Sequence, residues 1–373
     1  MNKTLKTDYK DRIRGCMMGG AVGDALGHQI EFDTGVLPRQ VIRFSNGRGI
    51  ISDDTQMTLF TACGLLWRQT RWYLRGIAML PSDAIYLAYI DWLGTQQKVD
   101  DHTPVSWIRN IPELNIMRNP GMTCLEALDS GKAGTLGDPI NDSKGCGGIM
   151  RIAPVALYLN GDVVGDFSAK ACALTHGHPL AILSAYTLGY IVCYLLADYP
   201  MEKAIKAAIQ KMNEWVAEDV DKNQKLVKIK YNNEKAELTQ LLNKAIKFAK
   251  SNMEDQDAIS KLGGGWVAEE ALAVAVYSSL KYQDSFEDAV VCAVNHDGDS
   301  DSTGAITGNM IGVHLGYDKI QSYYKDNVEL KEVILELSDD MTLGVPTNDE
   351  GQISDKKWLA KYLYCDKNAE INL

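Results

Sequence analysis

The chain has 373 residues and a formal net charge of −11, with 46% apolar and 23% charged residues. This composition indicates a globular protein with a sizeable core and excludes an intrinsically disordered chain. The acidic balance argues against a protein that binds nucleic acid through a basic surface.

The N-terminal positions 1–14 are polar and charged, without the apolar stretch of a signal peptide. The eight cysteines lie far apart along the chain, with no C-x-x-C pair and no zinc-type spacing to histidine. Such cysteines are typical of reduced core or loop residues. The sequence therefore predicts a cytoplasmic protein.

Apolar residues recur at steps of three and four along most of the chain, and no series of strands with hairpin turns is evident. This pattern predicts an all-α fold. The predicted helices cover residues 9–26, 55–69, 82–93, 166–174, 201–217, 233–251, 267–280, 285–294 and 331–337.

Two further segments need an interpretation. The most apolar run, 181–197, is at the lower length limit for a membrane-spanning helix, but it contains serine, threonine and tyrosine. We interpret it as the central helix of the core. The segment 217–257 is rich in Lys, Glu, Asn and Gln, and we expect one amphipathic helix against the body. Without a Gly-, Pro- or Ser-rich linker or an internal repeat, residues 1–373 are expected to form a single domain.

Two acidic clusters stand at the starts of predicted helices. The first is ISDDT over 51–55, and the second is HDGDSDSTG over 296–304. Their carboxylates and hydroxyls are hard oxygen ligands of the kind that Mg²⁺, Mn²⁺ and Ca²⁺ prefer. Crowded carboxylates repel one another, so each cluster needs water or a cation. If the clusters meet in space, their aspartates could neutralise a pair of divalent ions.

Helix capping is the simpler interpretation of either cluster alone, because Asp and Ser are preferred at helix starts. The second cluster has more than a cap requires, since Asp299 and Asp301 are followed by an apolar helical stretch, 303–312, with three glycines. Each glycine costs about 1 kcal/mol in a helix relative to alanine. We therefore expect another backbone or a ligand to approach this helix closely.

A glycine-rich stretch, SKGCGGIMR over 143–151, offers several unobstructed backbone N–H groups that suit phosphate oxygens. It has neither the ending of a P-loop nor the spacing of a Rossmann fingerprint, which disfavours a nucleotide-triphosphate motor or a dehydrogenase. A tight packing turn is an equal alternative. His176 is interpreted either as structural or as ligand-facing. Trp266, after three glycines, is either a stacking platform for a base or ribose or a core residue.

Taken together, the motifs resemble the ADP-ribosylglycohydrolase family, which includes dinitrogenase reductase activating glycohydrolase. The matching segments occur in the family's order, mainly between residues 10 and 315. They are 15–32 (GCMMGGAVGDALGHQIEF), 52–57 (SDDTQM), 143–154 (SKGCGGIMRIAP), 175–179 (THGHP), 265–272 (GWVAEEAL) and 295–304 (NHDGDSDSTG).

The resemblance implies a compact orthogonal all-α fold with a cleft for ADP-ribose and two Mg²⁺ ions, with Mn²⁺ as the alternative. The implied metal ligands are Ser52, Asp53, Asp54, Asp299, Asp301 and Ser302. The implied catalytic residues are Glu31, Asp54 and Asp299. The implied substrate-binding residues are Ser143, Gly145, Cys146, Gly147, Gly148, Met150, His176 and Trp266. The sequence departs from the family pattern near Gly264, where an acidic residue is expected, and this puts recognition of the distal ribose or leaving group in doubt.

The function implied by the resemblance is metal-dependent hydrolysis of the bond between ADP-ribose and a modified protein side chain, with arginine favoured and ADP-ribose as the product. Two alternatives stay open: an immunity protein that neutralises an ADP-ribosylating toxin, and a non-catalytic relic that binds ADP-ribose. An unrelated two-metal phosphatase or nuclease is a further alternative, because many chemistries share oxygen-rich sites. No membrane partner is expected.

Overall fold

Helices make up most of the regular structure in the computed structural model, which describes residues 3–32, 41–99, 102–159 and 161–369. The α-helices in the N-terminal half are α1 (Lys3–Gly27), α2 (Asp53–Arg75), α3 (Pro81–Gln97), α4 (Met122–Asp129), α5 (Ala153–Tyr158), α6 (Val164–Ala173) and α7 (Pro179–Leu196). Those in the C-terminal half are α8 (Met201–Glu214), α9 (Asn232–Ala249), α10 (Asp255–Leu262), α11 (Ala268–Lys281), α12 (Phe286–Val294), α13 (Ser300–Leu315), α14 (Ser322–Asn327), α15 (Lys331–Leu343) and α16 (Lys356–Tyr362). The predicted all-α class is confirmed.

The predicted helix 233–251 is confirmed as α9, but the prediction that 217–257 holds one amphipathic helix and no other element is wrong. Two short strands, β1 (Ala217–Val220) and β2 (Leu226–Ile229), pair in antiparallel register, and α9 and α10 follow as separate helices. The side chain of Asp221 closes the hairpin by accepting hydrogen bonds from the backbone N–H groups of Asn223 and Lys225. Such a carboxylate-capped turn competes with helix formation, and α8 accordingly ends at Glu214 rather than at residue 217.

The apolar helix α7 lies in the centre of the core, as predicted. It packs against α5, α6, α8, α9, α11 and α13. Among the described helices it is the one that is long and apolar enough to cross a membrane, and 83% of it is buried inside the protein. Pro179 occupies the first turn, and the ring of His178 caps the helix by accepting a hydrogen bond from the N–H of Leu180. The burial accounts for its apolar composition.

Helices α1 and α13 run antiparallel in direct backbone contact. A Cβ atom added at Gly19 would lie 2.3 Å from the carbonyl oxygen of Gly308, and one added at Gly23 would lie 2.0 Å from that of Gly304. The contact continues along both helices at four-residue intervals through Gly15, Gly19, Gly23 and Gly27 on α1 and Gly304, Gly308 and Gly312 on α13. The close approach expected for 303–312 is therefore made by another backbone. This seam brings the C-terminal end of α1 to the N-terminal end of α13.

Candidate active site

Three helix ends meet at one place in the structure: the C-terminal end of α1 and the N-terminal ends of α2 and α13. Asp24 of α1 connects the C-terminal end of α1 to the N-terminal end of α2. Its buried carboxylate accepts hydrogen bonds from the N–H of Ser52 at 3.0 Å and of Thr55 at 3.1 Å, and from the Thr55 hydroxyl. Asp24 was not identified from the sequence. The available signal was a lone carboxylate among the apolar and small residues of a predicted helix.

The start of α2 presents the first acidic cluster. Ser52 is the N-cap, and its hydroxyl oxygen accepts a hydrogen bond from the N–H of Asp54 at 3.2 Å. The Asp53 carboxylate accepts one from the N–H of Gly121 at 3.2 Å. Oδ2 of Asp54 is buried and has no hydrogen-bond partner among the described residues. A buried carboxylate oxygen in this state requires water or a cation.

The start of α13 presents the second acidic cluster. The helix begins at Ser300, three residues before the helical stretch 303–312 that the sequence predicts, and Asp299 is its N-cap. Asp299 and Asp301 both accept a hydrogen bond from the N–H of Ser302, at 3.2 and 2.9 Å. Capping and ligand supply are therefore compatible here, because each carboxylate keeps a second oxygen for another partner.

The end of α1 adds Glu31 and a residue that was not predicted, His28. Nδ1 of His28 lies 3.6 Å from Oε2 of Glu31 and 3.8 Å from Oδ2 of Asp301. One potential ligand atom from each of the three residues lies within 4.8 Å of the others. Since His28 follows Asp24 by four residues, both face the same side of the chain. The structure thus brings Glu31 beside the predicted metal ligand Asp301.

The electrostatics of the cluster are unfavourable without a cation. Burial, reinforced by the negative charge of Asp301, raises the pKa of Asp53, Asp54 and Asp299 well above the usual range. Burial likewise raises the pKa of Glu31 to about 7. Burial would lower the pKa of His28, but the adjacent carboxylates outweigh it and raise that pKa.

Several carboxylates therefore share a buried site in which they cannot all be negatively charged without a large free-energy penalty. A bound divalent cation would relieve this conflict. The hydroxyl and carboxylate donors fit the hard ions Mg²⁺ and Mn²⁺. The six implied ligands stay a prediction that is chemically consistent with this environment.

We expect Asp54→Asn to raise the thermal unfolding midpoint of the metal-free protein, because the amide removes one buried charge from the cluster and can donate to the remaining carboxylates. A gain of about 1 kcal/mol would correspond to about 1–2 °C for a chain of this size. Differential scanning calorimetry in chelator measures it.

Addition of Mg²⁺ tests whether a divalent cation stabilises the protein by binding to these carboxylates. At a hundredfold excess over Kd, the ion should stabilise the wild type by about 2.7 kcal/mol and stabilise Asp54→Asn much less. Asp297→Asn is the control, since Asp297 is exposed and lies in the second acidic cluster without being one of the predicted metal ligands. A wild type that neither Mg²⁺ nor Mn²⁺ stabilises would argue against a metal at this cluster.

The glycine-rich stretch forms a 3₁₀ turn at Cys146–Gly148 next to the start of α11. The carbonyl of Lys144 accepts a hydrogen bond from the N–H of Ala268, and the N–H of Cys146 donates to the carbonyl of Trp266. Packing explains part of its glycine content, because a Cβ atom at Gly148 would lie 2.6 Å from Sγ of Cys172. The loop is thus a tight packing turn, and its role as a phosphate cradle stays a prediction.

The loop and the acidic clusters are in direct contact. The thiol of Cys146 donates a hydrogen bond to Oδ2 of Asp299 at 2.6 Å. The predicted diphosphate-binding loop and the predicted metal site therefore lie side by side, and one ligand can reach both.

The predicted substrate-binding residues differ in exposure. Ser143, Gly145, Cys146 and Gly147 are partly exposed, whereas Gly148, Met150 and His176 are buried. His176 lies against the glycines of the loop and is 1% exposed, and its role in substrate binding stays a prediction. Trp266 is 49% exposed, which excludes a core role and leaves its ring free to stack.

The three glycines before Trp266 have a structural reason. Gly263 and Gly265 have φ angles of 127° and 81°, and the N–H of Gly265 donates a hydrogen bond to the carboxylate of Glu270. Between them, the carbonyl of Gly264 accepts a hydrogen bond from the N–H of Asp299 at 2.8 Å. The three glycines, which stand where the family pattern has an acidic residue, therefore form a turn that binds the backbone of Asp299 in the second acidic cluster.

Comparisons with known proteins agree on one family. The sequence profile of the ADP-ribosylglycohydrolase family matches residues 5–351. The ADP-ribosylarginine hydrolase Tri1 of Serratia proteamaculans (strain 568) is 24% identical over 360 residues, which are 92% of this chain and 82% of that protein. The ADP-ribosyl-[dinitrogen reductase] glycohydrolase of Rhodospirillum rubrum is 26% identical over 336 residues, which are 86% of this chain and 91% of that protein. A solved structure, described as an ADP-ribosylglycohydrolase-related protein complex, has the same fold, with a TM-score of 0.62, 21% identity, and coverage of 90% of this chain and 99% of that one.

Proposed function

This chain belongs to the ADP-ribosylglycohydrolase family of hydrolytic enzymes, and we propose that it removes ADP-ribose from the arginine side chain of a modified protein in a magnesium-dependent reaction. The proposed linkage follows from two relatives, one an ADP-ribosylarginine hydrolase and the other a glycohydrolase of ADP-ribosylated dinitrogen reductase. Their substrates are proteins that carry ADP-ribose. A protein substrate also suits the acidic surface of this chain better than nucleic acid does.

The observation that carries the proposal is the convergence of buried carboxylates from three helix ends. Asp53 and Asp54 at the start of α2 and Asp299 and Asp301 at the start of α13 are buried, and Glu31, from the segment after α1, is partly buried. Helix N-termini favour negative charge, but they do not compensate so many carboxylates in one buried site. Two Mg²⁺ ions, held by these aspartates with Ser52 and Ser302, would compensate them. Mn²⁺ is the alternative ion.

When bound, the ions would supply Lewis-acid chemistry that orients the ribose hydroxyls and stabilises charge as the glycosidic bond breaks. The side chains of Asp54 and Asp299 would fix the sugar relative to the leaving group. Exclusion of water from the helix ends would strengthen each of these contacts. The transition state of such a cleavage has oxocarbenium character, so negative side chains near the ribose favour it.

Glu31 is the residue best suited to handle the proton. Burial raises the pKa of Glu31 in the metal-free protein, and carboxyl groups in such surroundings serve as general acids or bases. Its Oε2 atom has no hydrogen-bond partner among the described residues. Glu31 would therefore exchange a proton with water or with the leaving nitrogen. The glycine-rich loop, linked to Asp299 through Cys146, would hold the diphosphate next to this centre.

The proposal is tested with purified protein, arginine-linked and serine-linked ADP-ribosylated substrates, and either Mg²⁺ or chelator. Mass spectrometry should detect free ADP-ribose from the arginine-linked substrate with Mg²⁺ and none with chelator. Release from the serine-linked substrate alone would assign a different leaving group. Equal release in chelator would overturn the metal dependence.

A role in neutralising an ADP-ribosylating toxin stays a prediction, as does residence in the cytoplasm. The toxin hypothesis has its own test, because a protein that blocks a toxin physically should still bind it after replacement of Asp299 and Asp301. A protein that acts by hydrolysis alone should lose protection with the same variants.

A further inference from the structure

Cys146 places a thiol at the edge of the two acidic clusters. Its Sγ atom lies 2.6 Å from Oδ2 of Asp299, to which it donates a hydrogen bond. Cys146 is partly exposed, whereas six of the other seven cysteines are buried. An ion from solvent can therefore reach this sulfur atom. The six predicted metal ligands all supply oxygen, so Cys146 adds a donor of a different chemical type next to one of them.

A second carboxylate faces the loop that carries this thiol. The hydroxyl of Thr58 donates a hydrogen bond to the carbonyl of Met150 at 3.4 Å, and Asp54, four residues before Thr58 in α2, lies on the same side of the helix. Asp54 and Met150 also line one small cavity. Asp54 is 3% exposed, and its buried Oδ2 atom has no hydrogen-bond partner among the described residues. An unpaired carboxylate oxygen in this position requires a ligand.

Hydrogen bonding alone does not require sulfur at position 146. A serine hydroxyl would donate to Asp299 more strongly, because a thiol is a weak donor. A thiolate, in contrast, is a good ligand for Zn²⁺ and other cations that bind sulfur. Zn²⁺ accepts thiolate sulfur together with carboxylate oxygen. Mg²⁺ takes oxygen ligands, so the sulfur atom contributes nothing to its binding.

We propose that Cys146, Asp54 and Asp299 form a mixed sulfur–oxygen site that binds one divalent cation of the Zn²⁺ class. Binding releases the thiol proton to solvent, and the cation compensates the buried carboxylates. Thiolate favours Zn²⁺ over Mg²⁺ and Mn²⁺, which suit oxygen ligands. The bound ion therefore excludes Mg²⁺ from the same aspartates and inhibits the enzyme. This inhibition, unlike the binding itself, rests on the proposed function.

Co²⁺ is the spectroscopic probe for this site, because a cobalt–thiolate bond gives a charge-transfer band in the near ultraviolet that oxygen ligands do not give. An equimolar amount of Co²⁺, added to the metal-free wild type in oxygen-free buffer, should produce the band. Cys146→Ser should abolish it while keeping a hydrogen-bond donor to Asp299, and Asp299→Asn should weaken it strongly. Cys193→Ser is the matched control and should keep the band, because Cys193 is also partly exposed but lies in α7.

The second measurement is the affinity for Zn²⁺, determined by competition with a chelating dye. Loss of a residue that only orients a metal ligand costs about 10- to 100-fold in metal affinity. Cys146→Ser removes a direct ligand, so its affinity for Zn²⁺ should fall at least about tenfold. Calorimetry should show that the same variant binds Mg²⁺ as the wild type does, because Mg²⁺ does not use the sulfur. Cys193→Ser should bind both ions as the wild type does.

The outcomes separate this inference from the proposed function. A wild type without the cobalt band, or a band that Cys146→Ser or Asp299→Asn keeps at full strength, overturns the mixed site. If Cys146→Ser does not fold, Cys146→Ala gives the same comparison, and the wild-type spectrum alone can still reject the site. A wild type that shows the band but releases no ADP-ribose with Mg²⁺ contradicts the proposed function and leaves the mixed site supported.

Discussion

Replacement of Asp299 or Asp301 with asparagine is expected to reduce the rate of ADP-ribose release by about a thousandfold or more. Both carboxylates are buried at the start of α13, and both keep an oxygen free of the Ser302 N–H that they cap. Asparagine preserves the shape and the capping oxygen but removes the charge that would hold a divalent cation. Release is measured by mass spectrometry with saturating Mg²⁺.

The fold should survive these substitutions, because each removes a buried negative charge from a crowded cluster. Circular dichroism should show unchanged helical content. Asp297→Asn is again the matched control, since this exposed neighbour is two residues from Asp299 and should keep wild-type activity. Wild-type release by both Asp299→Asn and Asp301→Asn would contradict the assignment of the second acidic cluster to the active site.

The chemistry of this site could be predicted from sequence because the carboxylates stand in two dense clusters before apolar helices. Their meeting could only be a hypothesis, since it depends on the packing of α1 against α13 and on Asp24. That carboxylate joins α1 to the start of α2, yet nothing local marks it as a bridge. His28 was missed for the same reason, because its proximity to Asp301 is a tertiary contact.

The fold was predictable where long runs of apolar and small residues mark a buried helix, as in much of α1, α7 and α11. The predicted helix 233–251 is present as α9. The fold was not predictable at 217–231, where charged and amide side chains dominate and each strand is only four residues long. There the turn chemistry of Asp221 decided the structure. The glycines of α13 illustrate an intermediate case. Because glycine lowers helix stability, the glycines predicted that another group approaches this helix closely. Only the tertiary structure shows that this group is the backbone of α1 rather than a ligand.

Gly308→Ala is expected to destabilise the protein despite the better helix propensity of alanine. The substitution gains about 1 kcal/mol of propensity. The added Cβ atom would, however, lie 2.0 Å from the carbonyl oxygen of Gly19, and this backbone atom cannot rotate away as a side chain can. The two helices must therefore move apart along the seam. Overpacking of this kind costs about 3 kcal/mol or more, so the unfolding midpoint should fall by a few degrees, about 2–4 °C.

The same displacement should affect catalysis, because the seam sets the position of Glu31 relative to Asp301. A shift of about 1 Å at a reacting group can cost about a hundredfold in rate, so Gly308→Ala should lose activity even at temperatures where it is fully folded. Gly121→Ala is the control, since an added Cβ atom there meets no atom within 4 Å and the N–H that binds Asp53 is retained. If Gly308→Ala unfolds at the wild-type temperature and keeps full activity, the two helices are not in backbone contact, and the glycines of α13 need another explanation.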